Sequence, residues 1–430
     1  MVKISFLGAC REIGRSGVLL QSDNGASVLL DYGVKMSEKE DNFPWHVSTK
    51  DVNAIVLTHA HIDHSGGIPL FYVSGAPALI TNHLTLELCD VLIHDMLYLS
   101  GDYLPFEVLE LRKMLREARH VGYNYRTRVA KDVYVTLFNA GHIPGSACAL
   151  VEMDGKRVLY TGDVNASTSC LVSPMTYDFP PVDALITESS YALHSHPPRE
   201  QIEEAFVEKV NQVTSDGGKV LVPAFGVARS QEIVCVLQKY GVRNPIFIDG
   251  MARKVSRLFL EYPAYFREYE TLKQGLSRAT FIGKSNAFSQ RSGALKRRGA
   301  VIVAPSGMMK GGTVRFYARS ILPDPSSAVC LVSYQLEDTP GRVLLEKNVY
   351  YDDPANGPLE VAADVEFFDF SAHSGKDQLH EMISSLSFRD EPTVFCVHGE
   401  DEACRGLAKE LNHSGEVLAV APEAGNTFEV

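Results

Sequence analysis

Short apolar runs that stop abruptly at polar, glycine-containing loops recur along this chain. Lys3–Ala9, Gly17–Gln21 and Ser27–Asp31 have the β-branched and aliphatic pattern of strands and lie close together, which predicts an antiparallel meander. Ala54–Leu57 is a buried-type run. Helical spacing then appears over residues 84–99 (Leu84, Leu88, Val91, Leu92, Met96, Leu99) and again over 106–119, where Arg112, Lys113, Arg116 and Arg119 form a basic face. His83 and His94 fall on or beside the first of these helices and read as ordinary helix residues. Val133–Phe138, Arg157–Tyr160 and Ala184–Thr187 predict further strands.

From residue 191 the pattern changes. Strands are predicted at Lys219–Pro223, Pro245–Asp249, Ala300–Pro305 and Ala328–Ser333. Helices at about 199–215, 228–240, 252–262 and 311–320 alternate with them, as in a parallel doubly wound sheet. After about 356 the earlier character returns: Val365–Phe370 and Thr393–Val397 each precede a histidine loop and a helix. The simplest topology is one domain (1–190 and 356–430) interrupted by a second (191–355).

The loops after the strands carry the chemistry. Ala54–Leu57 runs into Thr58-His59-Ala60-His61-Ile62-Asp63-His64, three histidines and an aspartate within six positions. Imidazole nitrogen and carboxylate oxygen are the donors zinc takes when it must keep a water. His59 and His61 can reach one ion while Asp63 and His64 reach another. Other strand ends present Asp31, His142, Asp163, Glu188, His373 and His398. Singly, each such residue is a common turn former or helix cap; together they predict one pocket at the carboxyl edge of a sheet. Ser306, Gly307, Lys310, Gly311 and Gly312, in a turn that opens a helix, form a weaker phosphate-binding signal.

Composition narrows the class. With 430 residues and 45% hydrophobic side chains, the chain reads as a soluble two-domain protein. No run reaches the roughly 20 apolar residues of a membrane span, and the start has no secretory leader pattern, so a cytoplasmic location is expected. Eight scattered cysteines without a Cys-x-x-Cys pair exclude a disulfide framework or a cysteine zinc site. The net charge of −12 argues against a polyanion partner until its distribution is examined. Residues 191–355 hold 22 Lys and Arg against 16 Asp and Glu, whereas the rest holds 19 against 37. The middle is therefore basic and open to a polyanion. Arg253, Lys254, Arg257, Lys284, Lys296, Arg297 and Arg298 are its candidate contacts.

In order and spacing, these motifs resemble the metallo-β-lactamase-fold nucleases that carry a β-CASP insertion. Asp31, His59-Ala-His61-Ile-Asp63-His64, His142 and Asp163 match the first four motifs; Glu188, His373 and His398 match the three of the inserted branch. Pro223-Ala-Phe-Gly226 and Ser306–Gly312 resemble its helix-opening turns. The wording around His59 is similar to the cleavage-and-polyadenylation-factor group, in a short archaeal or bacterial form related to RNase J. The resemblance implies an αββα sandwich with an inserted β-CASP α/β domain and two zinc ions per chain. His59, His61 and His142 would hold one ion, Asp63, His64 and His398 the other, with Asp163 bridging and Asp31 orienting ligands. It further implies a ribonuclease that leaves 5′-phosphate and 3′-hydroxyl ends, with His373 as acid supported by Glu188, since a histidine at position 398 is typical of RNA-acting members. Single-stranded RNA is the expected partner; a homodimer and a role in an RNA-processing or decay complex fit the family. Three rivals share part of the signal: a small-ester, thioester or lactam hydrolase, a non-catalytic scaffold subunit, and a DNA nuclease.

Overall fold

The structure, a computed structural model, describes residues 1–35, 42–100, 104–351, 357–415 and 417–430. The chain divides into two compact units. Met1–Ser167, Pro174–Ser195 and Ala372–Val430 form the first; Thr168–Ser173 and His196–Ser371 form the second.

The first unit holds two seven-stranded sheets. In spatial order the first sheet is Thr427–Glu429, Val2–Gly8, Gly17–Ser22, Ser27–Leu30, Ala54–Val56, Ala78–Thr81 and Ala118–His120. The first three sequential strands are the expected antiparallel meander; from Ser27–Leu30 onward the neighbours are parallel. The second sheet runs Leu418–Val420, Phe388–Val397, Val182–Glu188, Lys156–Tyr160, Ala147–Met153, Val133–Asn139 and Thr127–Ala130.

Alternation along the strands decides how these sheets pack. Val2, Ile4, Phe6, Val28, Leu30 and Val56 of the first share one core with Val135, Val151, Val158, Ile186 and Phe395 of the second. Leu150, Leu159, Leu185 and Val394 point the other way and meet Leu379 and Ile383 of the helix Lys376–Ser385 and Leu407 and Leu411 of the helix Asp401–Ser414. On the outer face of the first sheet Leu29, Ile55 and Leu79 are fully buried, and the helix Val108–Glu117 packs against Ala78–Thr81. The layers are therefore helix, sheet, sheet, helix, the αββα sandwich expected. Each fully buried aliphatic side chain contributes about 1.5–3 kcal/mol, so the strand ends stand on a rigid base. Val182–Glu188 is buried along its length because it lies mid-sheet, parallel to Lys156–Tyr160 and to Phe388–Val397.

The second unit is built on a six-stranded sheet in the order Thr280–Phe281, Ile246–Ile248, Val301–Ala304, Val220–Pro223, Ala328–Leu331 and Asp364–Phe367. Every pairing is parallel, and the central strands are buried on both faces, as the alternation of strands and helices after residue 191 predicts. Its edges depart from the sequence reading. The boundary expected at 355/356 lies outside the described residues. The strand expected at 365–370 is Asp364–Phe367, and it pairs with Ala328–Leu331 of this sheet, so the return to the first unit comes at Ala372. The segment Thr168–Ser173 also belongs here. Glu232 Oε1 and Oε2 accept the Cys170 and Leu171 N–H groups, each at 3.0 Å.

Candidate metal centre

Asp31, His59, His142, Asp163, Glu188 and His398 all lie at or just beyond the carboxyl ends of strands of the first unit. Asp31 follows Ser27–Leu30, and His59 follows Ala54–Val56. His61 leads into the one-turn helix Ile62–Ser65, which carries Asp63 and His64. His142, Asp163 and His398 follow Val133–Asn139, Lys156–Tyr160 and Phe388–Val397, and Glu188 ends Val182–Glu188. His373 is the exception. It rides on the segment before Lys376–Ser385, fixed by Ser374 N–H donating to Val164 O at 2.7 Å and Ala166 N–H donating to Ser374 Oγ at 3.0 Å.

Two donor sets form. His59, His61, His142 and Asp163 present ligand atoms within 4.8 Å of one another, and so do Asp63, His64 and His398. Asp163 faces both. Its Oδ2 lies 3.4 Å from His59 Nε2 and 3.6 Å from His142 Nε2, while its Oδ1 lies 3.2 Å from His64 Nε2 and 3.6 Å from His398 Nε2. His61 Nδ1 lies 3.2 Å from His59 Nε2 and 3.1 Å from His142 Nε2, and Asp63 Oδ2 3.6 Å from His398 Nε2.

The donor set fits zinc. Four ligands at 2.0–2.1 Å in a tetrahedron lie about 3.3 Å apart, the spacing seen here. Asp163 Oδ1 is buried without a hydrogen-bond partner, as an atom reserved for a cation should be. The outer nitrogens are already engaged. His64 Nδ1 donates to Asp31 Oδ2 at 2.7 Å, and His142 Nδ1 donates to Ala372 O at 2.8 Å. Thr58 Oγ1 donates to Asp31 Oδ2 at 2.7 Å and so accepts from His59 Nδ1 at 3.1 Å. His398 Nδ1 lies 3.0 Å from Ser16 Oγ. In each ring Nε2 is left to face the site, the arrangement outer partners of metal-bound imidazoles impose.

Asp31 is itself over-determined. It is fully buried, sits at φ +55°, and accepts from Thr58 N–H at 2.8 Å and Tyr160 O–H at 3.0 Å as well. Ser16, Thr58 and Tyr160 escape sequence reasoning, because an isolated hydroxyl in or beside a strand carries no spacing signal. Gly33 matters for space: a Cβ there would lie 1.7 Å from Asp63 O.

Charge in this pocket is arranged for cations. Burial and repulsion from His59 push His61 down to about 3, and burial with the neighbouring His373 drives His142 well below its ordinary value. Burial raises the carboxylates, but His64 and His398 outweigh it and hold Asp63 low and Asp163 well below the usual range. Burial likewise opposes charge on His373, yet Glu188 overcomes it and raises the imidazole to about 9. His373 Nδ1 lies 2.9 and 3.0 Å from the two Glu188 oxygens, and Glu188 Oε1 also accepts Val164 N–H at 2.7 Å. The His373 ring stands 4.6 Å from that of His142.

The remaining candidates lie elsewhere. Ser306–Gly312 follows the strand Val301–Ala304 of the second unit and supplies no donor to either set; Lys310 is exposed. Cys170, Glu203 and Glu232 also cluster, but Glu232 is spent on two backbone amides and Glu203 on Lys239 at 2.6 Å, so this group anchors a segment. His83 pairs with Glu87 and His94 with Asp90, as ordinary helix residues do.

Comparison with known proteins adds a second line of evidence. Residues 13–191 match the metallo-beta-lactamase superfamily, 230–344 the Beta-Casp domain, and 358–422 the Zn-dependent metallo-hydrolase RNA specificity domain. The chain is 35% identical to RNase aCSPSF2 of Saccharolobus solfataricus over 99% of its length and 85% of the relative's. It is 33% identical to the probable RNase MJ4 of Methanocaldococcus jannaschii, with both chains fully covered. It is 31% identical to transcription termination factor FttA of the same organism over 95% of this chain and 68% of that one. Among solved structures, a protein of unknown function from Enterococcus faecalis shares the fold, with a TM-score of 0.62 over 99% of each chain at 15% identity.

Proposed function

The chain belongs to the β-CASP family of metallo-β-lactamase-fold ribonucleases, metal-dependent enzymes, and on that premise we propose that it hydrolyses single-stranded RNA at a two-zinc centre. The products are a 5′-phosphate and a 3′-hydroxyl. The observation that supports this reading most is Asp163, whose two oxygens face two separate histidine sets. His59, His61 and His142 would hold one ion and Asp63, His64 and His398 the other, with Asp163 placed to serve both. When bound, such a pair supplies an activated water and neutralises charge on the phosphoryl oxygens.

The protein's own groups do the rest. Asp31 fixes the His64 tautomer and, through Thr58, that of His59. Ser16 steadies His398. Glu188 keeps His373 cationic, so that its Nε2–H can be given to the departing 3′-oxygen. A positioned acid of this kind contributes about 10²–10⁴-fold. Lys310 and the backbone amides of Ser306–Gly312 are suited to a substrate phosphate. Relatives named as ribonucleases and as a transcription termination factor both fit an RNA substrate. A cytoplasmic role in RNA processing or decay, with a homodimer or a larger complex, completes the proposal.

One digest tests it. RNA labelled at its 5′ end, in monophosphate and triphosphate forms, is incubated with zinc-loaded protein beside matched DNA. Mononucleotides released only from the monophosphate form indicate a 5′-to-3′ exonuclease. Internal fragments from both forms indicate an endonuclease. Intact RNA beside degraded DNA, or beside a hydrolysed chromogenic lactam or ester, refutes the reading.

A further inference from the structure

The metal centre leaves two helices of the first unit without a role. His83–Ser100 and Val108–Glu117 pack against each other, and each also turns residues to water. Where the first helix ends, Tyr98 and Leu99 are 86% and 74% exposed, and Leu109, at the start of the second, is 59% exposed. Among the described residues of the first unit, no other large apolar side chain is as open to water as Tyr98 or Leu99. A single exposed leucine is ordinary; three large apolar side chains at the joint of two packed helices mark an interaction surface.

Charge on the two helices is segregated. The first carries Glu87, Asp90 and Asp95 and no Lys or Arg. Steps of three and four residues put Glu87 and Asp90 on one face with Tyr98. Their partners are His83 at 3.7 Å and His94 at 2.9 Å, side chains that are charged only when protonated. The second helix exposes Leu109, Arg112 and Arg116 on one face, and Arg119 follows it at once, exposed as well. Arg116 reaches its neighbour Glu117 at 3.8 Å. Arg112 and Arg119 form no ion pair among the described residues. An acidic row thus lies beside a basic one, with apolar side chains where the two helices meet.

This pattern selects the occupant. A polyanion or an anionic lipid surface would be drawn to the basic row and repelled by the acidic one. A second copy of the same face meets no such conflict. With a two-fold axis along the line between the rows, the acidic row of each copy faces the basic row of the other, and the contact is made twice.

We propose that this face is a homodimer interface, in which Tyr98, Leu99 and Leu109 pack against a second copy between two symmetric acid–base rows. The inference rests on the homodimer included in the reading above and supplies its surface. The apolar side chains give the affinity, and the rows fix the register.

Sedimentation velocity of the full-length protein over a range of concentrations reads the association directly. The wild type should pass from monomer to dimer. Leu99→Glu should raise the dissociation constant at least about tenfold while circular dichroism stays native. Arg112→Glu with Arg116→Glu turns the basic row acidic; Glu87→Arg with Asp90→Arg turns the acidic row basic. Neither protein should self-associate, an equimolar mixture of the two should form a heterodimer, and all four changes in one chain should restore the homodimer. Recovery on mixing separates a lost contact from a damaged fold. A wild-type dimer that survives every variant sits on another surface and overturns the interface alone, as does a mixture that stays monomeric. A wild type that is monomeric throughout overturns the interface and the homodimer together. Loss of RNA affinity in the Arg112 and Arg116 variant, with self-association unchanged, makes the basic row an RNA contact and overturns the proposal. RNA cleavage by the same samples leaves the ribonuclease reading intact in each case.

Discussion

Glu188→Gln isolates the electrostatic half of the proposed acid. The substitution keeps the shape and retains an oxygen for Val164 N–H, but removes the charge that faces His373. With Glu188 present, His373 is raised to about 9; without it the imidazole falls toward its ordinary value, because burial is then opposed only by the charges of Asp163 and Asp63. A return to the ordinary value of about 6.5 would lower the cationic fraction at pH 7.5 about tenfold. The sign follows: His373 is charged below its raised pKa, so the wild-type rate falls as pH rises toward 9, and in the variant the fall comes at lower pH. The assay is single-turnover cleavage of labelled RNA from pH 5.5 to 9.5, with zinc measured on every sample. His373→Ala should match the double variant, since Glu188 acts through His373. A zinc-replete Glu188→Gln protein with the wild-type rate and pH profile would refute the acid role outright.

Four further outcomes are expected. His59→Ala or Asp63→Ala should abolish cleavage while circular dichroism stays native; full turnover by either refutes the ligand assignment. Asp31→Asn should weaken zinc binding about 10–100-fold in competition with a chromogenic chelator, because it loses the acceptor for His64 and sets an amide against Thr58 and Tyr160. Gly33→Ala should lose zinc although glycine ligates nothing, since the new methyl collides with the Asp63 carbonyl; normal zinc content in that variant contradicts the packing described. Zinc uptake should release protons and weaken as pH falls, because His64, held well above its ordinary pKa by Asp163 and Asp31 against burial, carries a proton that the metal must displace. Calorimetry in buffers of different ionisation enthalpy reads that release directly.

What could be read from the sequence was whatever repeats. The strand-then-ligand theme recurs at Asp31, His59, His142, Asp163 and His398, and the structure brings these five side chains together. Hydroxyl partners do not repeat: Ser16 and Thr58 touch His398 and His59, and Tyr160 holds Asp31, each through a single atom and from positions that look like ordinary loop or strand residues. The helix Ala287–Lys296 was also missed, since among its residues only Ala294 is buried and no apolar stripe marks it. The strand Asp364–Phe367, expected after the chain has returned to the first domain, pairs within the second unit for a different reason. Which neighbour a short strand chooses depends on long-range register, and its own residues do not encode it.

The parallel pairing of Val182–Glu188 with Phe388–Val397 has a consequence for how the protein is made. The ligands up to Asp163 leave the ribosome early, but His398 follows only after roughly two hundred more residues have been synthesised. Closing so long a loop in parallel register is slow, because its entropy is lost before the contacts form. A nascent chain can thus assemble a complete first donor set while the second still lacks its last ligand. Completion of the second set would then wait until Phe388–Val397 has been made and has paired with Val182–Glu188.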